Sequence, residues 1–187
     1  MSNSTQEHNN EKLSMDELQR ISVEEFKQSA KLPITVILDN VRSMNNVGSV
    51  FRTADAFRIE HICLCGITAQ PPHKEIEKTA LGATESVSWS YYPDTHEAIT
   101  HLLNNNYEIY AVEQTKNSIA LSSFQINKSK KIALIFGNEV MGVKQDIIDR
   151  SHATIEIPQL GTKHSLNISV SAGIVLWHLF YQLTQKE

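Results

Sequence analysis

The sequence predicts an α/β fold with a mainly parallel sheet flanked by helices. Three observations carry that prediction. From Pro33 onward, apolar runs of strand length alternate with stretches of helical periodicity; runs such as "ITVILDN" and "KIALIF" read as buried strands; and Gly and Pro gather at the junctions. No internal repeat interrupts the alternation. At 187 residues and 41% hydrophobic content the chain has the size of one ordinary domain, enough to bury roughly 70% of its unfolded surface.

The elements follow in order. The first dozen residues are polar and expected to be disordered. "SMDE" and "SVEE" then each place Ser three residues ahead of Glu, the capping-box spacing, and predict two short helices. Residues 1–33 are therefore read as a polar tail with short N-terminal helices, and 34–187 as the α/β domain. Within it the sequence predicts strand "ITVILDN", a helix from about Asn46, strand "EHICLCG", a helix near 74–81 and strand "ESVSWSYY". A helix over 95–104, strand "YEIYAV", a loop to about Lys130 and strand "KIALIF" come next. A short helix after Gly142, strand "ATIEI" and a final helix from Ser165 complete the chain.

Composition excludes several classes. No run approaches the ~18 apolar residues of a membrane span, and the polar, acidic start lacks the basic and apolar regions of a signal peptide, so a cytoplasmic protein is expected. Cys63 and Cys65 stand at i, i+2 in an apolar run with no second cluster to complete a metal site, and are read as core thiols. No metal is expected. A net charge of −4 argues against a broad basic surface for nucleic acid. Any such site must be local, with Arg42, Arg52 and Arg58, or His73, Lys74 and Lys78, as its candidate patches.

Three stretches carry chemistry. In "NNVGSVFRTADAF", Val47, Val50, Phe51 and Ala54 form the buried stripe of a helix, and Arg52 points away from it. Gly48 lies one turn before Arg52, at a cost of roughly 1 kcal/mol relative to Ala. It either permits close packing against a neighbouring strand, with Arg52 in a surface ion pair, or leaves space beside Arg52. In "IALIFGNEVMGV" a buried strand runs into Gly137, Asn138, Glu139 and Gly142, presenting amides and a carboxylate at the carboxyl edge of the sheet, where ligands of open α/β folds bind. By itself, Glu139 is better read as a cap for the short helix that follows. Dinucleotide and P-loop glycine motifs are absent from the sequence.

The third stretch is "IEIPQLGTKHSLNISVSAGIVLWHLF". Pro158 and Gly161 lead into Ser165 as the expected N-cap, with Asn167 in the first turn. Asn167, Ser171, His178 and Gln182 share a narrow polar arc, and apolar residues fill most of the remaining circumference. So wide an apolar arc needs two partners: the sheet and a second subunit in a C2 dimer is the natural inference, and a helix clasped wholly within one chain is the alternative. His164 and His178 are read as satisfied hydrogen-bonding residues.

Taken in order, these stretches resemble the three motifs of the SpoU/TrmH family of the SPOUT superfamily, S-adenosylmethionine-dependent RNA ribose 2'-O-methyltransferases. The resemblance spans essentially 34–183 and includes the small-residue segment "TALGATESV". Val140 and Met141 depart from the more usual small or charged residues, and "QLGTKH" is a variant lead-in to Ser-Leu-Asn. The resemblance implies a SPOUT-type fold whose C-terminal segment threads a loop to form a deep trefoil knot, and a homodimer that completes the site. It implies Arg52 as the catalytic arginine, Asn46 as a residue that helps place it or the ribose, and Glu139, Ser165 and Asn167 as residues shaping the site. Val112, Gln114, Gly137, Ile157, Ser165 and Leu166 would line the cofactor pocket. Gly48 would then leave room for a nucleotide beside Arg52. The RNA would be structured, with tRNA favoured over rRNA. A noncatalytic RNA-binding module and a nucleotide-binding α/β enzyme acting on a small molecule are the alternatives.

Overall fold

The computed structural model describes residues 10–14 and 16–185. The expectation of disorder for the start of the chain falls mostly on residues 1–9, outside the described residues. Of the two N-terminal capping boxes, both form their hydrogen bonds, but only one starts a helix. Ser14 and Glu17 bond to each other's backbone around a turn at 16–19. Ser22 and Glu25 close the reciprocal box that opens α1 (Val23–Gln28), and Phe26 on α1 is buried in the main core.

Seven strands form one sheet: β1 (Leu32–Asp39), β2 (Ile59–Cys65), β3 (Trp89–Tyr92), β4 (Tyr107–Val112), β5 (Ile119–Ala120), β6 (Lys131–Phe136) and β7 (Ala153–Glu156). Their spatial order is β3-β2-β1-β6-β4-β7-β5, and every paired neighbour is parallel. The central strands bury both faces with a period of two. Ile34, Val36 and Leu38 of β1, with Ile132, Leu134 and Phe136 of β6, belong to one core; Ile37, Ala133 and Ile135 belong to the other.

Helices cover both faces. α2 (Met44–Ala56), α3 (Lys74–Ala80), α4 (Ala83–Ser86) and α7 (Ile168–Thr184) cover the first core, while α5 (Thr95–Asn104) and α6 (Gln145–Ile148) cover the second. The predicted stripe of Val47, Val50, Phe51 and Ala54 is fully buried on α2. Cys63 and Cys65 are buried, free thiols; burial pushes Cys63 up to about 12 and raises Cys65 as well, which leaves both unreactive at neutral pH.

Several boundaries differ from the sequence reading. "ESVSWSYY" is strand only over β3, because Ala83–Ser86 closes a helical turn first. The loop after β4 contains β5, which adds to β7 at the edge of the sheet. The last helix starts at Ile168 rather than Ser165. Asn167 is its N-cap: the side-chain Oδ1 accepts the N–H groups of Ser169 and Val170, and this leaves Ser165 in the exposed approach to the helix. Ser and Asn cap about equally well, so spacing alone does not choose between them.

Gly48 also has a different purpose from either expectation. A Cβ there would stand 2.2 Å from the carbonyl oxygen of Ile76 and 2.2 Å from Thr79 Oγ1, both on α3. The missing side chain therefore lets two helices meet backbone to backbone, and no room is left at Gly48 for a nucleotide. Thr79 Oγ1 donates to the Asn45 carbonyl at 2.9 Å across the same contact.

Candidate active site

The carboxyl ends of β4, β6 and β7 open into a cleft of about 1300 Å3, next to the point where the strand order reverses between β1 and β6. Three loops wall it: the segment after β4, the turn 137–143 after β6, and the long approach to α7. All six residues expected to line a cofactor pocket, Val112, Gln114, Gly137, Ile157, Ser165 and Leu166, do line this cleft. Glu139 and Asn167 line it too, whereas Asn46 and Arg52 stand outside its wall on α2.

The turn after β6 is built tightly. Asn138 and Gly142 exchange backbone hydrogen bonds, and a Cβ on Gly137 would come within 2.4 Å of backbone atoms of Gly142 and Val143. Asn138 Oδ1 accepts the N–H groups of Val140 and Met141, and its Nδ2 donates to the Asn40 carbonyl at 2.7 Å. The turn is thereby tied to the end of β1, and Val140 and Met141 project into solvent at its tip.

Glu139 does not cap the following helix, which starts after Lys144 without a side-chain cap. Its carboxylate reaches across to the start of α2 instead, accepting Arg42 N–H at 2.9 Å, Ser43 N–H at 2.9 Å and Asn46 Nδ2 at 3.2 Å. Burial raises its affinity for a proton, but the donated hydrogen bonds outweigh burial and hold Glu139 below the usual carboxylate range. Asn46 is thereby oriented, and its Oδ1 accepts from Asn167 Nδ2 at 3.1 Å. One polar chain, Glu139 to Asn46 to Asn167, joins residues far apart in sequence.

Arg52 is exposed on α2 and makes no hydrogen bond or ion pair among the described residues. The surface ion pair considered for it does not form. Its guanidinium is free to meet an external anion, and the fixed donors of a guanidinium suit phosphate. Ser165 lies at the cleft with its side chain exposed. Gln114 Nε2 donates to the His164 carbonyl at 2.8 Å, bracing the approach to α7. His178 shares a hydrogen bond with Gln182, as expected of a satisfied histidine.

Sequence reasoning missed Glu113 and the clamping role of Asn138. Asn138 was legible as a polar residue at the strand end; Glu113 had no signal beyond standing between two predicted pocket residues, Val112 and Gln114.

The residues present fit a nucleoside-type cofactor. The cleft exceeds the usual ~300–1,000 Å3 of a small-molecule pocket. Apolar Val112, Ile157 and Leu166 wall it, and Gly137 brings bare backbone to its edge. No group of His, Cys, Asp or Glu able to hold a metal is found among the described residues.

A cleft at the carboxyl edge of a parallel α/β sheet, with a carboxylate and two side-chain amides hydrogen-bonded in a chain at its mouth, is the ligand site of an enzyme of the open α/β class. The chain belongs to the SpoU rRNA Methylase family, whose model matches residues 33–177. It is 29% identical over 161 residues to a tRNA (guanosine(18)-2'-O)-methyltransferase of Thermus thermophilus, covering 86% of this chain and 81% of that one. The fold matches the TrmH/SpoU tRNA modifying enzyme of A. aeolicus with a TM-score of 0.75 at 24% identity, over 86% of this chain and 81% of the other. It also matches an AdoMet-bound rRNA methyltransferase from Sinorhizobium meliloti with a TM-score of 0.75 at 28% identity, over 89% of this chain and 63% of the other.

Proposed function

We propose that this chain methylates a ribose 2'-hydroxyl of tRNA, with Arg52, Asn46, Glu139, Ser165 and Asn167 forming the catalytic surround. The reaction class is that of its family: an S-adenosylmethionine-dependent RNA ribose 2'-O-methyltransferase. The observation that carries the reading is the hydrogen-bonded chain Glu139–Asn46–Asn167 at the mouth of the cleft. It links all three sequence stretches in one place, beside the six residues assigned to the cofactor.

Bound S-adenosylmethionine supplies an electrophilic methyl on a positively charged sulfonium. The protein's task is to align the 2'-hydroxyl with that methyl and to stabilise the oxygen as it loses its proton. Arg52 takes the second role. A guanidinium stays protonated and is a poor base, so Arg52 stabilises developing alkoxide charge while a phosphate or water accepts the proton. Glu139 and Asn46 fix the start of α2, and Asn167 fixes the start of α7, so that arginine and cleft keep their relation. Backbone groups of Gly137, Ile157 and Leu166, with Val112, Gln114 and Ser165, hold the cofactor.

The similarity to a tRNA (guanosine(18)-2'-O)-methyltransferase over most of both chains favours tRNA over rRNA. The apolar outer face of α7, with Val170, Ile174, Trp177 and Tyr181 exposed, supports a homodimer. In this reading residues 34–187 are the methyltransferase domain, 1–33 its N-terminal extension, and the C-terminal segment passes through the trefoil knot of the family. No helix among the described residues is long and apolar enough to cross a membrane, and the enzyme works in the cytoplasm with the RNA it modifies.

The test incubates the purified protein with isotopically labelled S-adenosylmethionine and unmodified tRNA or rRNA, digests the RNA and identifies labelled nucleosides by mass spectrometry. A labelled 2'-O-methylnucleoside from tRNA is expected. Label confined to rRNA overturns the tRNA preference, and cofactor binding without any label favours a noncatalytic RNA-binding module.

A further inference from the structure

Immediately after β4 the chain reads Glu113-Gln114-Thr115, and each side chain bonds to a different neighbour. Gln114 holds the approach to α7, and the Thr115 hydroxyl shares a hydrogen bond with Thr154 of β7 at 2.7 Å. Glu113 holds the turn that carries Glu139. Its Oε2 accepts Val143 N–H at 2.9 Å and its Oε1 accepts Gln114 N–H at 2.8 Å. The Glu113 N–H donates to the Ile155 carbonyl at 3.0 Å, so the carboxylate extends from a backbone already fixed to the sheet.

Gly142 completes the fit. It adopts a left-handed conformation at φ 63°, and a Cβ there would lie 2.2 Å from Glu113 Oε2. The carboxylate occupies the place where any other residue would put its side chain. On the opposite side the same backbone presses on Gly137. The turn is thus held between the end of β6 and the Glu113 carboxylate, and Glu139 leaves it aimed at the start of α2. A carboxylate accepting a backbone N–H makes a charge-assisted bond, stronger than the neutral bonds that otherwise close this turn.

We propose that Glu113 is a positioning residue for methyl transfer: by gripping the Gly137–Val143 turn it sets both the cofactor wall and the direction of the Glu139 carboxylate. The inference rests on the reading of the cleft as the cofactor site. It gives the Glu-Gln-Thr stretch a shared purpose, since Glu113 steadies one wall of the cleft and Gln114 the other.

The test compares wild type with Glu113→Ala and the isosteric Glu113→Gln. Three quantities are measured: amide hydrogen exchange across 137–143 without cofactor, calorimetric affinity for S-adenosylhomocysteine, and kcat and KM for RNA. For Glu113→Ala, exchange in the turn rises and S-adenosylhomocysteine binds about tenfold more weakly, as loss of a charge-assisted bond predicts. The turnover number falls while KM for RNA stays within about twofold, the pattern of a lost positioning contact rather than lost substrate binding. Glu113→Gln is intermediate, because a carboxamide oxygen still accepts. Exchange accelerated equally throughout the sheet would mark Glu113 as a general structural residue and overturn the proposal. So would wild-type exchange and affinity in Glu113→Ala. If the alanine variant does not fold, wild-type values in Glu113→Gln overturn it. Exchange and S-adenosylhomocysteine binding need no RNA, so a wild type that binds cofactor but methylates nothing refutes the proposed function while these two readouts still decide the role of Glu113.

Discussion

The side-chain amide of Asn167 donates to Oδ1 of Asn46 across 3.1 Å, joining the cap of α7 to the first turn of α2. Asn167 is committed on both sides, because its own Oδ1 is the acceptor for the first amides of α7. Asn46 is equally committed, donating to Glu139 while it accepts from Asn167. Neither side chain can turn over without losing bonds at both ends, so the two helix starts move as a unit.

Shared commitment predicts non-additive stability. Asn167→Ala removes the cap and costs about 1 kcal/mol. Asn46→Ala leaves Glu139 with its two backbone donors and costs less. The double variant falls short of the sum by about 0.5–1 kcal/mol, the coupling expected of residues in one network. Urea denaturation of the four proteins measures it, and strict additivity would show that the contact carries no energy.

Glu139 gives the network a pH dependence of known sign. Its carboxyl is held below the usual range in the folded protein by the Arg42 and Ser43 amides just before α2 and by the Asn46 side chain. A depressed folded-state value means that the stabilisation is complete above the unfolded value of about 4.3 and is lost as pH falls through the lower folded value. The melting temperature of wild type should therefore exceed that of Glu139→Gln by a constant margin from neutral pH down to about pH 5, and the margin should shrink in more acid solution. A margin unchanged at pH 3 would mean that the ionised form is not what the Arg42 and Ser43 amides select.

Gly48→Ala separates packing from catalysis. In an exposed helix the change would stabilise by roughly 1 kcal/mol. Here the added methyl meets the Ile76 carbonyl and Thr79 Oγ1, and a backbone carbonyl cannot step aside as a flexible side chain can. The expected outcome is destabilisation of about 1–3 kcal/mol by overpacking. A more stable protein with weakened RNA binding would instead restore the idea of an open nucleotide site at this glycine.

Strand periodicity made most of the fold legible in advance, because β6 is apolar through its centre and β1 is apolar there except at Thr35, and only a sheet covered on both faces requires that. The helix over 95–104 was equally plain, since Asp94 caps it and Ala98, Ile99 and Leu102 form its buried side. The cap of α7 was missed by two residues because Ser165 and Asn167 offer chemically similar caps. β5 is two residues long and gains its place only by pairing with β7, which no local pattern encodes. In the site, the residues of the ordered motifs could be named, but their bonding could not. That Glu139 would reach α2 rather than its own following helix depends on how β6 lies beside β1. Gly48 was misread for the same reason: a helix wheel shows which way a residue faces, but not which helix waits there.

Arg52 predicts a loss confined to chemistry. It is exposed and supports no other described side chain, so Arg52→Ala should melt within about 0.5 kcal/mol of wild type, as surface changes do. S-adenosylhomocysteine should bind unchanged, because Arg52 does not line the cleft. Methyl transfer should fall at least about 100-fold, the scale of losing a preorganised donor to a developing oxyanion. Transfer retained at near wild-type rate would remove Arg52 from the reaction.

The outer face of α7 makes the last prediction. Val170, Ile174, Trp177 and Tyr181 recur along one side of the helix and are 49%, 38%, 54% and 52% exposed, while Val175, Leu176 and Leu179 on the other side are buried. Trp177 is stacked on Phe180, with ring centroids 5.6 Å apart, and Phe180 packs on Phe57 at 5.2 Å, so the aromatic surface is already rigid. A rigid apolar stripe loses little entropy when a partner covers it, which favours self-association. Sedimentation equilibrium should give a dimer for wild type and a monomer for Trp177→Glu, since a buried unpaired carboxylate at the centre of the stripe opposes association. If the second subunit completes the site, the monomeric variant loses methyl transfer although Trp177 lies outside the cleft. A Trp177→Glu dimer would move the interface elsewhere, and an active monomer would show that one chain holds every residue the reaction needs.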